Sequence, residues 1–121
     1  MATILVIDDD ELVREAVTDI LEMYHMNVLT ASNGVEGVEI FKNNTDKIDG
    51  VIVDRRMPKL NGVATLQKLR AIQKDLPIIM SSGYAFESQE FELGMERPNA
   101  YLYKPYEIQE LIELIEKVIL K

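Results

Sequence analysis

Four stretches of the chain end in residues that can hold charge or donate a hydrogen bond: Asp8-Asp9-Asp10, Asp54, Ser81-Ser82 and Lys104. Carboxylates gathered in one cleft repel one another unless a cation or a proton intervenes. The chain has no cysteine and one histidine, so a metal bound among them must be held by oxygens, which points to Mg²⁺ or a similar hard ion. A carboxylate can also serve as a nucleophile toward phosphorus. Phosphoryl transfer then needs the charge on the migrating oxygens neutralised from two sides, by a metal and by a fixed ammonium. Lys104 is a compact point charge suited to the second role, and the Ser82 hydroxyl can donate to a phosphoryl oxygen.

Such residues work together only if the fold collects them. Short β-branched runs predict strands over Thr3–Asp8, Asn27–Ala31, Gly50–Asp54, Pro77–Ser81 and Ala100–Tyr103. Three are near-continuous apolar runs, as expected of parallel strands covered on both faces. Between them runs helical spacing. Val13, Ala16, Val17, Ile20, Leu21 and Tyr24 form one stripe, and Ile108, Leu111, Ile112, Ile115, Val118 and Ile119 form another in the last helix. Shorter helices fit Gly34–Lys42 and Gly62–Gln73, and a weakly periodic, Glu-rich segment predicts a fourth over Phe86–Gly94. Five βα units predict an α/β three-layer sandwich of flavodoxin-like (βα)5 type with a parallel sheet of order 2-1-3-4-5. Sites in such sheets lie beyond the carboxyl ends of the strands. Asp8 and Asp9, Asp54, Ser82 and Lys104 would meet there, while Asp10 and Glu11 would start the first helix.

At this point a family resemblance becomes specific. ILVIDDDELVRE resembles the opening of response-regulator receiver domains, VIVDRRMPKLNG their phosphoacceptor motif, PIIMSSGYA the segment with the switch hydroxyl, and AYLYKP the segment with the switch aromatic and the lysine. The resemblance implies a receiver over residues 1–121, with Asp54 as phosphoacceptor and Mg²⁺ held by Asp8, Asp9, Asp54 and the backbone carbonyl of Arg56. It places the switch at Ser82 and Tyr101, with Lys104 gripping the phosphoryl group. Residue 56 and Tyr84 would flank the site and set how quickly phosphate is gained and lost. The donor would be a sensor histidine kinase or a histidine phosphotransfer protein, and the output a remodelled face of fourth helix, fifth strand and fifth helix. The pairing of SSGY with YLYKPY is similar to receivers attached to hybrid sensor kinases.

Two other readings compete. Asp8-x-Asp10 after an apolar strand also resembles haloacid-dehalogenase-like phosphatases, with Asp8 as nucleophile and Asp10 as acid/base. That reading leaves Asp54-x-x-Met57-Pro58 unexplained and lacks a late acidic pair. The other is a receiver-fold binding module that is never phosphorylated. On the receiver reading the chain promotes its own phosphorylation and dephosphorylation and is not an enzyme with a turnover substrate. A net charge of −8 speaks against direct nucleic-acid binding. No apolar run has membrane-spanning length, and the start has no signal-peptide pattern, so a cytoplasmic location is expected. A phosphorylation-dependent dimer through the last helix is a further expectation. His25 is expected at the surface without a role, and Leu114 and Leu120 lie off the main stripe of the last helix.

Overall fold

The structure is a computed structural model and describes residues 1–83, 91 and 94–120. Among them, five strands, β1 (Thr3–Ile7), β2 (Asn27–Ala31), β3 (Gly50–Asp54), β4 (Ile78–Ser82) and β5 (Ala100–Tyr103), alternate with helices α1 (Glu11–Met23), α2 (Gly34–Asn43), α3 (Gly62–Ile72) and α4 (Ile108–Val118). All strand pairs are parallel, in the order β2-β1-β3-β4-β5. The helix expected over Phe86–Gly94 lies outside the described residues apart from Phe91 and Gly94.

Alternation along each strand splits the core into two layers. Leu5, Ile7, Val51, Val53, Ile78 and Met80 pack against Val38 and Phe41 of α2 and Leu66 and Leu69 of α3. Ile4, Val6, Ile52, Ile79 and Leu102 face Val17 and Leu21 of α1 and Leu111, Ile112 and Ile115 of α4. Burial on both faces explains why β1, β3 and β4 read as unbroken apolar runs. It also fixes register, because a one-residue slip would exchange the two layers.

The departures from expectation are at element ends. β1 stops at Ile7, although the Asp8 N–H still reaches the Ala31 carbonyl at 3.1 Å. β4 runs Ile78–Ser82 rather than Pro77–Ser81. Pro77 has no N–H to donate, and it contributes only its carbonyl, to Val51 N at 3.0 Å. Tyr24 lies past the end of α1 and is exposed, as are Ala16 and Ile108. Leu114 packs at the edge of the core, whereas Leu120 is exposed. His25 is exposed at φ +65°, the left-handed residue of a Schellman closure. Its N–H donates to Glu22 and that of Met26 to Leu21, both at 3.0 Å.

Candidate functional site

The same alternation that sorts the core aims the polar residues. Asp8 follows Val6, Asp54 follows Ile52 and Lys104 follows Leu102, so all three continue the face packed by α1 and α4. They meet where β1, β3 and β5 end. Lys104 Nζ donates to Asp8 Oδ2 at 3.0 Å and to Asp54 Oδ1 at 3.1 Å. Asp9, on the exposed turn into α1, brings its carboxylate to the same place. One oxygen each from Asp8, Asp9 and Asp54 lies within 4.8 Å of the others.

The electrostatics follow from that crowding. Asp54 is 7 % exposed. Burial first, then the charge of Asp8, pushes its carboxyl up from 3.8 to about 6, against the pull of Lys104. Burial pulls Lys104 down, but the hydrogen bond and charge of Asp8 and Asp54 outweigh it and leave the ammonium above its ordinary range. Among the described residues, the three carboxylates that converge share the Lys104 ammonium, and every donor is a hard oxygen. This set fits a divalent cation such as Mg²⁺, which keeps waters and binds through few carboxylates.

The surrounding backbone holds the acids in place. Asp10 caps α1, its Oδ1 accepting from Leu12 N at 3.0 Å and Val13 N at 3.4 Å. Its carboxylate is therefore turned to the helix, and the phosphatase reading loses its acid/base. Gly62 opens α3 against the end of β3, its N–H on the Arg55 carbonyl at 2.8 Å. A Cβ there would collide with the Asp54 carbonyl oxygen and lie 2.7 Å from Arg55 Cα, which is the physical reason for a glycine eight residues after Asp54. The loop between them contains Lys59 at φ +68°.

The remaining expected residues are placed differently. Ser81 and Ser82 are both 2 % exposed. Ser81 stands opposite Asp54 in register, and Ser82 one step further out, opposite Tyr103. By alternation Ser82 shares the face of Met80 and Tyr101. Tyr101 itself is half-buried against the α2–α3 layer, away from the acids. Arg56 is exposed just beyond Asp54, and Tyr84 lies outside the described residues. Reading the sequence missed Arg14, whose Nη1 donates to the Asp8 carbonyl at 2.7 Å. It also missed Tyr106, whose half-buried phenol is raised by burial. Tyr106, Pro105 and Gly83 face Val13, Ala16 and Ile20 of α1 across an apolar groove of about 530 Å³ that opens beside Lys104. The Lys104–Pro105 peptide is cis.

The family profile described as the response regulator receiver domain matches residues 4–116. The chain is 34 % identical over 109 residues to the response regulator MprA of a Mycobacterium species, covering 90 % of this chain and 46 % of that protein. It is 29 % identical over 120 residues to the sensor kinase CckA of Brucella abortus, covering 99 % of this chain and 13 % of that one. The chain thus spans less than half the length of either relative. Among solved structures, the response regulator TrrA of Thermotoga maritima in complex with Mg²⁺-BeF superimposes with a TM-score of 0.86 at 30 % identity, covering 97 % of this chain and 98 % of that one.

Proposed function

The chain belongs to the response regulator receiver domain family, and from that premise we propose that residues 1–121 form one phosphoacceptor switch with Asp54 as the acceptor. The observation that carries the assignment is the shared ammonium: Lys104 bridges Asp8 and Asp54, where, among the described residues, three acids converge.

In this reading Asp54, ionised above a pH of about 6, attacks the phosphorus of a phosphohistidine. The P–N bond breaks, the imidazole leaves, and an acyl phosphate forms on Asp54. Lys104 neutralises charge on the transferred oxygens, and the Ser82 hydroxyl donates to one of them. Asp8, Asp9, Asp54 and the Arg56 carbonyl would hold Mg²⁺, which when bound supplies the opposite positive charge; the Mg²⁺-BeF complex of the similar TrrA supports that choice. The apolar groove beside Lys104 gives the donor, a sensor histidine kinase or a histidine phosphotransfer protein, a surface to rest on.

Drawing Ser82 toward the phosphoryl group makes room for Tyr101 and shifts the face presented by β5 and α4 between two packings. Output is a change in partner affinity, including dimerisation through that face, and nucleic acid is not a partner of this chain. The chain carries one phosphoryl group at a time in a cytoplasmic relay and turns over no substrate of its own. The similarity to CckA supports a place in a hybrid kinase, and that to MprA supports a place in a response regulator.

Intact mass after incubation with acetyl phosphate and Mg²⁺ tests the proposal. One added phosphoryl group, absent in Asp54→Ala and absent without Mg²⁺, is expected. Equal labelling of Asp54→Ala would refute it.

A further inference from the structure

Each end of Asp8 is tied to a different part of the chain. Its N–H donates to the Ala31 carbonyl, Oδ1 accepts from Asp10 N at 2.9 Å, Oδ2 accepts from Lys104, and the carbonyl accepts from Arg14 Nη1 at 2.7 Å. Asp9 is the opposite case. It is exposed, and its carboxylate accepts no hydrogen bond among the described residues, yet it must stand within 4.8 Å of Asp8 and Asp54 to act with them. Its direction is therefore set by the backbone, and above all by the plane of the peptide that joins it to Asp8. The carbonyl of that peptide is the group Arg14 holds.

Arg14 is also in an unexpected place. It is the only lysine or arginine in the first forty-one residues. It sits in the opening turns of α1, where the helix dipole disfavours a cation. Its guanidinium reaches back over the helix start to the Asp8 carbonyl at 2.7 Å. The planar guanidinium is suited to holding a carbonyl in one orientation.

We propose that Arg14 is a positioning residue for the cation site: by holding the Asp8 carbonyl it fixes the Asp8–Asp9 peptide plane and so aims the otherwise unsupported Asp9 carboxylate into the cluster. The inference rests on the reading of Asp8, Asp9 and Asp54 as metal ligands. Removing outer partners that orient ligands commonly weakens metal binding by about 10- to 100-fold.

The sign of the effect separates positioning from charge. If Arg14 acted only through its charge, neutralising it would remove a repulsion and tighten Mg²⁺ binding. Positioning demands the reverse. Isothermal titration with MgCl₂ at fixed ionic strength on wild type, Arg14→Gln, Asp9→Asn and the double variant decides the matter. Weakening of about tenfold or more is expected for Arg14→Gln in the wild-type background, and little further weakening in the Asp9→Asn background, because the two residues act as one unit. Arg14→Lys keeps the charge and the aliphatic stem, so it remains folded if Arg14→Gln does not, and it too is expected to bind Mg²⁺ more weakly. Wild-type or tighter affinity in the Arg14 variants overturns the inference, as does an equal loss with and without Asp9. A wild type that binds no Mg²⁺ overturns the metal-site reading itself, and the inference with it.

Discussion

Asp54→Asn is expected to make the metal-free protein more stable. Asn has nearly the same shape as Asp and leaves an oxygen for Lys104, so the substitution removes chiefly a charge. Asp54 titrates near 6 when folded, against an ordinary 3.8, because it is buried beside Asp8. Below the lower value both folded and unfolded chains hold the proton, and the group contributes nothing. Between the two values the folded chain keeps a proton that the unfolded chain has lost, so stability falls as pH rises. Above 6 the deficit is complete, at about 3 kcal/mol. The side chain is 10 % exposed, so solvent screening removes little of this. Lys104's attraction is already contained in the titration. Urea denaturation in EDTA reads the effect directly. With a slope of about 2 kcal/mol per molar, the Asn variant gains up to roughly 1.5 M in midpoint at pH 7.5. The gain shrinks toward zero near pH 4, and Mg²⁺ bound at the acids would narrow it by stabilising the wild type more than the variant. An Asn variant no more stable than wild type at pH 7.5, or a gain independent of pH, would refute the account of a strained acid cluster.

Three further outcomes follow from particular geometries. His25→Gly relieves the left-handed backbone at φ +65° and should raise stability by about 0.5–1 kcal/mol, whereas His25→Ala, which keeps its Cβ, should not; equal melting of the two variants counts against the Schellman reading. Gly62→Ala drives a methyl group into the backbone of Asp54 and Arg55, so it should cost at least about 1–3 kcal/mol and slow acetyl-phosphate labelling; unchanged labelling means the β3–α3 junction does not position the acceptor. Ser82→Ala should slow that labelling about tenfold or more by removing a donor to the phosphoryl group, while Ser81→Ala leaves it near wild type; the reverse ranking would assign the hydroxyl to Ser81.

Strand order and the meeting of Asp8, Asp54 and Lys104 were legible in the sequence for one reason: strands buried on both faces announce themselves, and sites in such sheets sit at strand ends. Other features depended on contacts that no local pattern encodes. Pro77 shifts β4 by one residue through its missing N–H, which becomes decisive only beside Val51. The residue at 25 is a histidine where a glycine would announce a left-handed turn. The bond from Arg14 to Asp8 crosses six positions between a strand end and a helix. Its only trace in the sequence is a lone cation on the wrong end of a helix dipole. The two serines show the limit most clearly, because alternation separates their faces, yet the sequence alone does not say which residue closes the strand.

β5 is the element best placed to carry a signal away from the acids. It has four residues and, among the described residues, pairs only with β4, so a shift there breaks fewer ladder bonds than anywhere in β1, β3 or β4. Both of its ends are nevertheless held. At its start Asn99 Oδ1 accepts from Ile78 N at 2.9 Å and from Arg70 Nη2 at 2.6 Å, and Arg70 also binds Glu96 at 3.0 Å. At its finish the Lys104 N–H donates to the Ser82 carbonyl at 2.7 Å, while its ammonium is shared by two acids. A strand pinned at both ends cannot slide. If Asp54 takes a phosphoryl group, as proposed, and Lys104 turns from Asp8 toward it, the change would be taken up as twist between the pins. Tyr101 lies within that span, on the opposite face, among the side chains of the α2–α3 layer. On that proposal, the acids and the aromatic would need no contact with each other for one to move the other.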